Sequence, residues 1–203
     1  LLGLHGKRIG EQEMNVTETR LKGVFILEPK VFGDARGWFM ESWSKKKMEE
    51  AGLFYDFVQD NQSFSAEKGT LRGLHYQKNP MAQAKLLRCT RGEILDVAVD
   101  IRKGSPQYAK WASVRLSAEN KRQLMIPRGF AHGFITLTDD VEVQYKADNY
   151  YASECDGNIL WSDPAISVDW EIAPTVLSAK DEAAPTLAER EAQLNFVYGE
   201  EEA

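Results

Sequence analysis

Ile126-Pro-Arg-Gly-Phe-Ala-His-Gly-Phe-Ile135 decides the fold. Pro127 locks its own φ and Gly129 tolerates a left-handed backbone, so the segment opens as a turn. The apolar residues that follow predict a strand whose first inward side chain is His132. A second histidine, His75, lies in Leu71-Arg-Gly-Leu-His-Tyr-Gln77. Apart from His5, in a short leader, these are the only histidines of the chain.

Around these segments the period is two. Leu95, Val97, Val99 and Ile101 alternate with Asp96, Ala98, Asp100 and Arg102, which predicts a strand with one buried face. Stretches 110–116, 134–137 and 141–146 continue the series between Gly, Pro, Asn and Asp clusters, and many short strands with regular turns predict a sandwich or barrel. Helical patterns are few. One runs from about Lys45 to Ala51, with Ser44 as cap and Gly52 as stop; Thr186 and Glu189 have capping-box spacing and predict a helix through Gln193.

With 203 residues, 43% hydrophobic content and five tryptophans, the chain can bury one sizeable core, so a single domain over 14–203 is expected. Met14 reads as the natural start, making residues 1–13 a leader or extension. A net charge of -6 argues against nucleic acid or an anionic membrane surface as partner. Any anionic ligand then needs a local basic cluster. Two cysteines, Cys89 and Cys155, suit a reducing compartment, and no apolar run approaches the ~20 residues that span a bilayer, so a cytoplasmic location is expected.

Several side chains invite chemistry. Tyr145 shares a strand face with Val141 and Val143. Taken alone it is an ordinary wall residue whose hydroxyl finds a backbone partner; only a nearby His75 changes that reading. Lys85 alternates with Leu87 and Cys89 on an inward face, where an ammonium is costly unless it meets an anion, or snorkels to the barrel mouth. Arg36 and Arg72 together could grip a diphosphate. Arg72 and His75, three residues apart, fall on opposite faces of a regular strand, so meeting one ligand requires a bulge near Gly73.

The Pro-x-Gly-x-x-His-Gly-Phe form resembles the later signature of the cupin barrel. A metal-binding cupin carries His-x-His and a nearby Glu on the earlier strand; here His75-Tyr76-Gln77 leaves a metal at least one ligand short, which points the histidines toward proton transfer. Further segments are Glu28-Pro-Lys-Val-Phe-Gly-Asp-Ala-Arg-Gly37, Phe57-Val-Gln-Asp-Asn61, 71–77, 95–102, 126–134, Tyr145 with Asn149-Tyr-Tyr151, and Leu177-Ser-Ala-Lys-Asp181. Together, from Met14 to Leu187, they closely resemble the dTDP-4-dehydrorhamnose 3,5-epimerase family.

That resemblance implies an all-β, cupin-type jelly roll with a few short peripheral helices, working as a homodimer without metal or organic cofactor. It implies inversion at C3 and C5 of dTDP-4-keto-6-deoxy-D-glucose to give dTDP-4-keto-L-rhamnose. His75 takes the place of the base, Asp181 of the aspartate that orients it, Tyr145 of the acid and Lys85 of the lysine near the C4 oxygen. His132 falls in the sugar pocket. Arg36, Glu41, Gln59, Asn61, Arg72, Asp156 and Lys180 match substrate-contacting positions. Alternatives stay open: a 5-epimerase or 3-epimerase on a related ketosugar, a metal-dependent cupin oxygenase, or a non-catalytic nucleotide-sugar-binding module.

Overall fold

The computed structural model describes residues 14–199. The expected leader and His5 lie outside them. Two sheets face each other. One has six strands in the order β1 (Asn15–Glu18), β2 (Phe25–Glu28), β10 (Gln123–Ile126), β7 (Lys85–Arg91), β12 (Val141–Ala147), β5 (Gln59–Ser65). The other has five, in the order β13 (Asp156–Asn158), β6 (Leu71–Gln77), β11 (Phe130–Thr136), β8 (Glu93–Asp100), β9 (Trp111–Ser117). A separate hairpin pairs β3 (Val31–Asp34) with β4 (Gly37–Met40). Every strand pairing within the two sheets is antiparallel, as the jelly-roll reading requires.

Three apolar layers hold the sheets. Between them lie Leu87, Cys89, Ile94, Ala98, Val114, Leu124, Phe130, Phe134, Val141 and Val143, with Tyr145 packed alongside. Behind the six-stranded sheet, Leu27, Leu86 and Met125 meet Met48 of helix α1 (Lys45–Glu50) and Leu53. Behind the five-stranded sheet, Leu95, Val97, Val99 and Ile101 are covered by Ile159, Ile166, Trp170, Leu187, Leu194 and Phe196 of the carboxy-terminal segment. That last layer corrects one expectation. Strand β8 buries both faces, and its conspicuous apolar stripe is the outer one; Asp96 and Ala98 turn into the barrel.

The helix expectations hold. Ser44 caps α1 by accepting from Lys47 N, and Gly52 follows with φ +83°. Thr186 and Glu189 form the reciprocal capping box of α3 (Leu187–Arg190), and residues Glu191–Gln193 continue it as a 3-10 turn. His132 is not the first inward side chain of β11, because Phe130, at the strand's first position, already packs into the interior.

Candidate active site

The bulge expected near Gly73 is present. On β6 and β11, His75 stands opposite His132 but Arg72 stands opposite Phe134, so β6 carries one extra residue between these pairs. Gly73 supplies it. Its φ is +140°, and a Cβ there would lie 2.5 Å from Gly133 Cα, so both the conformation and the close approach demand glycine. Beyond the bulge the strand returns to its pleat with His75 inward and Leu74 and Tyr76 in the outer core. Arg72 is thrown toward the other sheet, where Nε donates to Ser65 Oγ at 3.2 Å and a terminal nitrogen donates to Phe64 O at 3.0 Å.

His75 Nε2 lies 2.6 Å from Asp181 Oδ1. Asp181 belongs to the single-turn helix α2 (Ala179–Glu182), whose cap Ser178 accepts from Asp181 N. Burial pushes the Asp181 carboxyl up, but the hydrogen bond and charge of His75, the Ser178 hydroxyl and Gly73 N–H outweigh it and hold its pKa below the ordinary value. A carboxylate can only accept, so in the neutral imidazole the proton sits on Nε2 and the lone pair is left on Nδ1.

A matching pair lies beside it. His132 Nε2 is 2.6 Å from Oδ1 of Asp96, which has no exposed surface. Burial pushes the His132 pKa down against the pull of Asp96, with the charges of Lys85 and His75 adding to the fall. The imidazole is therefore neutral near pH 7. Asp96 did not emerge from the sequence as a site residue, because its stripe read as the polar side of a half-exposed strand.

The six-stranded sheet supplies the facing groups. Lys85 begins β7, and its Nζ lies 5.8 Å from the Tyr145 ring centre. Burial lowers its pKa to about 8, while Asp156 and Asp96 pull it upward. The Tyr145 phenol is raised by burial and lowered in part by the charge of Arg72, so it stays protonated at neutral pH. Asn61 sits opposite Tyr145 on β5, and its Oδ1 accepts from Gln59 Nε2 at 3.1 Å. Asp156, opposite Gln77, pairs with Lys180 at the edge of the five-stranded sheet.

Two expected substrate contacts stand apart from this cluster. Arg36 occupies the tip of the β3–β4 hairpin, paired with Asp34 and 90% exposed at its side chain. Glu41 pairs with Lys47 at 2.9 Å in a separate cavity lined also by Phe32 and Trp43. Gln77, where a metal-binding barrel would place its second histidine, is committed to the backbone: its amide donates to Met81 O and Tyr150 O and accepts from Ala152 N. No group of three or more His, Cys, Asp or Glu side chains placed to hold a metal occurs among the described residues.

Two facing sheets thus bring together a carboxylate-backed imidazole, a phenol and an ammonium. The family model of dTDP-4-dehydrorhamnose 3,5-epimerase matches residues 18–189. The chain belongs to that family. The dTDP-4-dehydrorhamnose 3,5-epimerase of Shigella flexneri is 57% identical over 169 residues, 83% of this chain and 93% of that protein. The crystal structure of the Legionella pneumophila epimerase in complex with dTDP-4-keto-L-rhamnose superposes with a TM-score of 0.88 at 46% identity, covering 92% of this chain and 99% of that one. A 3'-monoepimerase from Streptomyces bikiniensis, in complex with dTDP-quinovose, gives a TM-score of 0.80 at 35% identity, covering 86% and 89%.

Proposed function

We propose that this member of the epimerase family inverts both C3 and C5 of dTDP-4-keto-6-deoxy-D-glucose, giving dTDP-4-keto-L-rhamnose. The observation that carries the reading is His75 of one sheet, backed by Asp181 of α2, with Tyr145 and Lys85 on the facing sheet. Packed sheets lie about 10 Å apart, a gap that one pyranose fills.

The C4 ketone acidifies the hydrogens on C3 and C5. His75 Nδ1, its lone pair free, removes one of them, and Asp181 stabilises the imidazolium that forms; a positioned base of this kind contributes ~100- to 10,000-fold. Negative charge collects on the C4 oxygen, where Lys85 supplies the cation, by analogy with single oxyanion donors worth about 2.7–4 kcal/mol. Tyr145 then delivers a proton from the opposite face, which completes the inversion. The sequence of steps needs no electron acceptor. Arg72 and Asn61, beside Tyr145, are the proposed contacts to the nucleotide diphosphate, with Gln59, Asp156, Lys180 and His132 lining the remainder.

The chain is proposed to work as a homodimer in the cytoplasm. Phe32, Trp38 and Phe39 leave a large aromatic surface exposed on the β3–β4 hairpin, and a second copy would cover it. Cys89 and Cys155 are buried free thiols, in keeping with a reducing compartment, and no helix among the described residues is long and apolar enough to cross a membrane. Residues 14–203 are taken as one functional unit.

A single inversion is the second reading, favoured by the likeness to a 3'-monoepimerase. Incubation with dTDP-4-keto-6-deoxyglucose in deuterated water separates them. Label at C3 and C5 with formation of the L-rhamno product supports double inversion; label at one carbon alone establishes the single reaction, and no label rejects both.

A further inference from the structure

The peptide unit that precedes Asp181 is pinned at both ends. Its N–H donates to the carbonyl and hydroxyl oxygens of Ser178 at 3.0 and 3.1 Å, and its C=O, the carbonyl of Lys180, accepts from Asn158 Nδ2 at 3.0 Å. The Ser178 hydroxyl bond is that of an ordinary helix cap. The bond from Asn158 comes from elsewhere in the fold: this residue ends β13, is 6% exposed, and stands opposite His75 in the β13–β6 ladder. One side chain next to the imidazole's strand thus grips the backbone that carries the imidazole's carboxylate partner.

Asn158 is itself held. Arg190, the last residue of α3, donates from Nε to Asn158 O at 3.1 Å and from a terminal nitrogen to Asn158 Oδ1 at 3.0 Å. A guanidinium can only donate and a carbonyl can only accept, so the amide has one orientation, with Oδ1 toward Arg190 and Nδ2 toward Lys180. The planar fork fixes two oxygens of one residue at once, which a lysine ammonium does not reproduce. Arg190, Asn158, the Lys180 carbonyl and Asp181 form a continuous line of contacts ending on His75 Nε2.

We propose that Arg190 and Asn158 are positioning residues of the epimerase site, which through the Lys180 carbonyl set the direction of the Asp181 carboxylate and so the tautomer of His75. The inference rests on the epimerase reading and deepens it by adding the support behind the base. A carboxylate free to swing away would let the imidazole proton move to Nδ1, and the lone pair that takes the substrate hydrogen would be lost.

Arg190→Met and Asn158→Leu test this with two readings each. Nitrogen-15 NMR of the histidine rings, recorded with the ring neutral, needs no substrate: wild type should show His75 protonated on Nε2, and both variants should show part of the population protonated on Nδ1. In turnover of dTDP-4-keto-6-deoxyglucose, kcat should fall roughly 10- to 100-fold in either variant. A merely structural contribution would lower the melting temperature and leave tautomer and kcat of the folded protein as in wild type; that result overturns the proposal, and so does an altered tautomer with kcat unchanged. Arg190→Lys, which keeps the charge but cannot hold both oxygens, replaces whichever variant fails to fold, with the same expectation. Should wild type itself exchange no C3 or C5 hydrogen, the epimerase reading falls, and the tautomer alone decides whether the two residues orient His75.

Discussion

His75 and His132 face each other directly across the β6–β11 ladder, and each is anchored through Nε2, at the same 2.6 Å, to its own buried aspartate. The likeness ends at the surroundings. Asp181 is tied off by Ser178 and by Gly73 N–H, whereas Asp96 keeps one oxygen open. His75 also retains solvent access, with its side chain 32% exposed against 10% for His132. The more accessible imidazole, on the better-stabilised carboxylate, is the one suited to take a proton from a bound ligand.

Replacing His75 by Ala should reduce turnover ~100- to 10,000-fold while dTDP binding persists, since the imidazole is assigned to proton removal. Tyr145→Phe should leave hydrogen exchange detectable and impair inversion. Deuterium incorporation measured beside product stereochemistry checks both; equal loss of exchange in the two variants would show that the groups do not have separate roles.

Asp181→Asn should cost activity through the wrong His75 tautomer, with folding retained. The stability effect has a definite sign. The Asp181 pKa is lowered in the folded state, so its contribution is present above the unfolded carboxylate value of 3.8 and is lost as pH falls through the lower folded value. Urea melts from pH 6 downward should therefore show wild type losing ground relative to Asp181→Asn below about pH 4.

Lys85 predicts opposite trends for activity and stability. Its folded pKa is about 8 against an ordinary 10.5, so the ammonium assigned to the C4 oxygen is lost as pH rises through 8 and kcat should fall there. In the window from 8 to 10.5 the unfolded chain binds the extra proton, which makes this residue's contribution to stability more favourable as pH rises. Lys85→Met should abolish the alkaline limb of residual activity and should stabilise the fold most below pH 8. A wild-type profile flat to pH 10 would contradict the assignment.

Gly73→Ala should destabilise the protein by at least about 1–3 kcal/mol, because the backbone there is left-handed and an added methyl collides with Gly133. Thermal melts give the loss. The surviving folded fraction should also be slow, since the bulge sets the direction of His75; full specific activity in that fraction would detach the bulge from the site.

Much of this was legible in the sequence for physical reasons that can be named. The two-residue period placed β8, β11 and β12, the oxygen-bearing residues Ser44 and Thr186 marked helix starts, and the parity conflict between Arg72 and His75 located the bulge. Asp96 was missed because alternation tells which residues share a face but not which face is inside. In β8 the more apolar side belongs to the outer layer under Trp170 and Phe196, a cover supplied by chain some seventy or more residues later. Arg36 and Glu41 matched substrate-contacting positions by motif and stay proposed contacts, although within one chain they pair with Asp34 and Lys47 rather than with the His75 cluster.

The separation of 106 positions between His75 and Asp181 gives the carboxy-terminal cover a second meaning. A barrel whose strands had all paired would still have an unoriented imidazole until the tail docked behind the five-stranded sheet and delivered α2. On the proposed roles, chemical competence depends on the carboxy-terminal layer being in place and not on the pairing of the barrel strands alone.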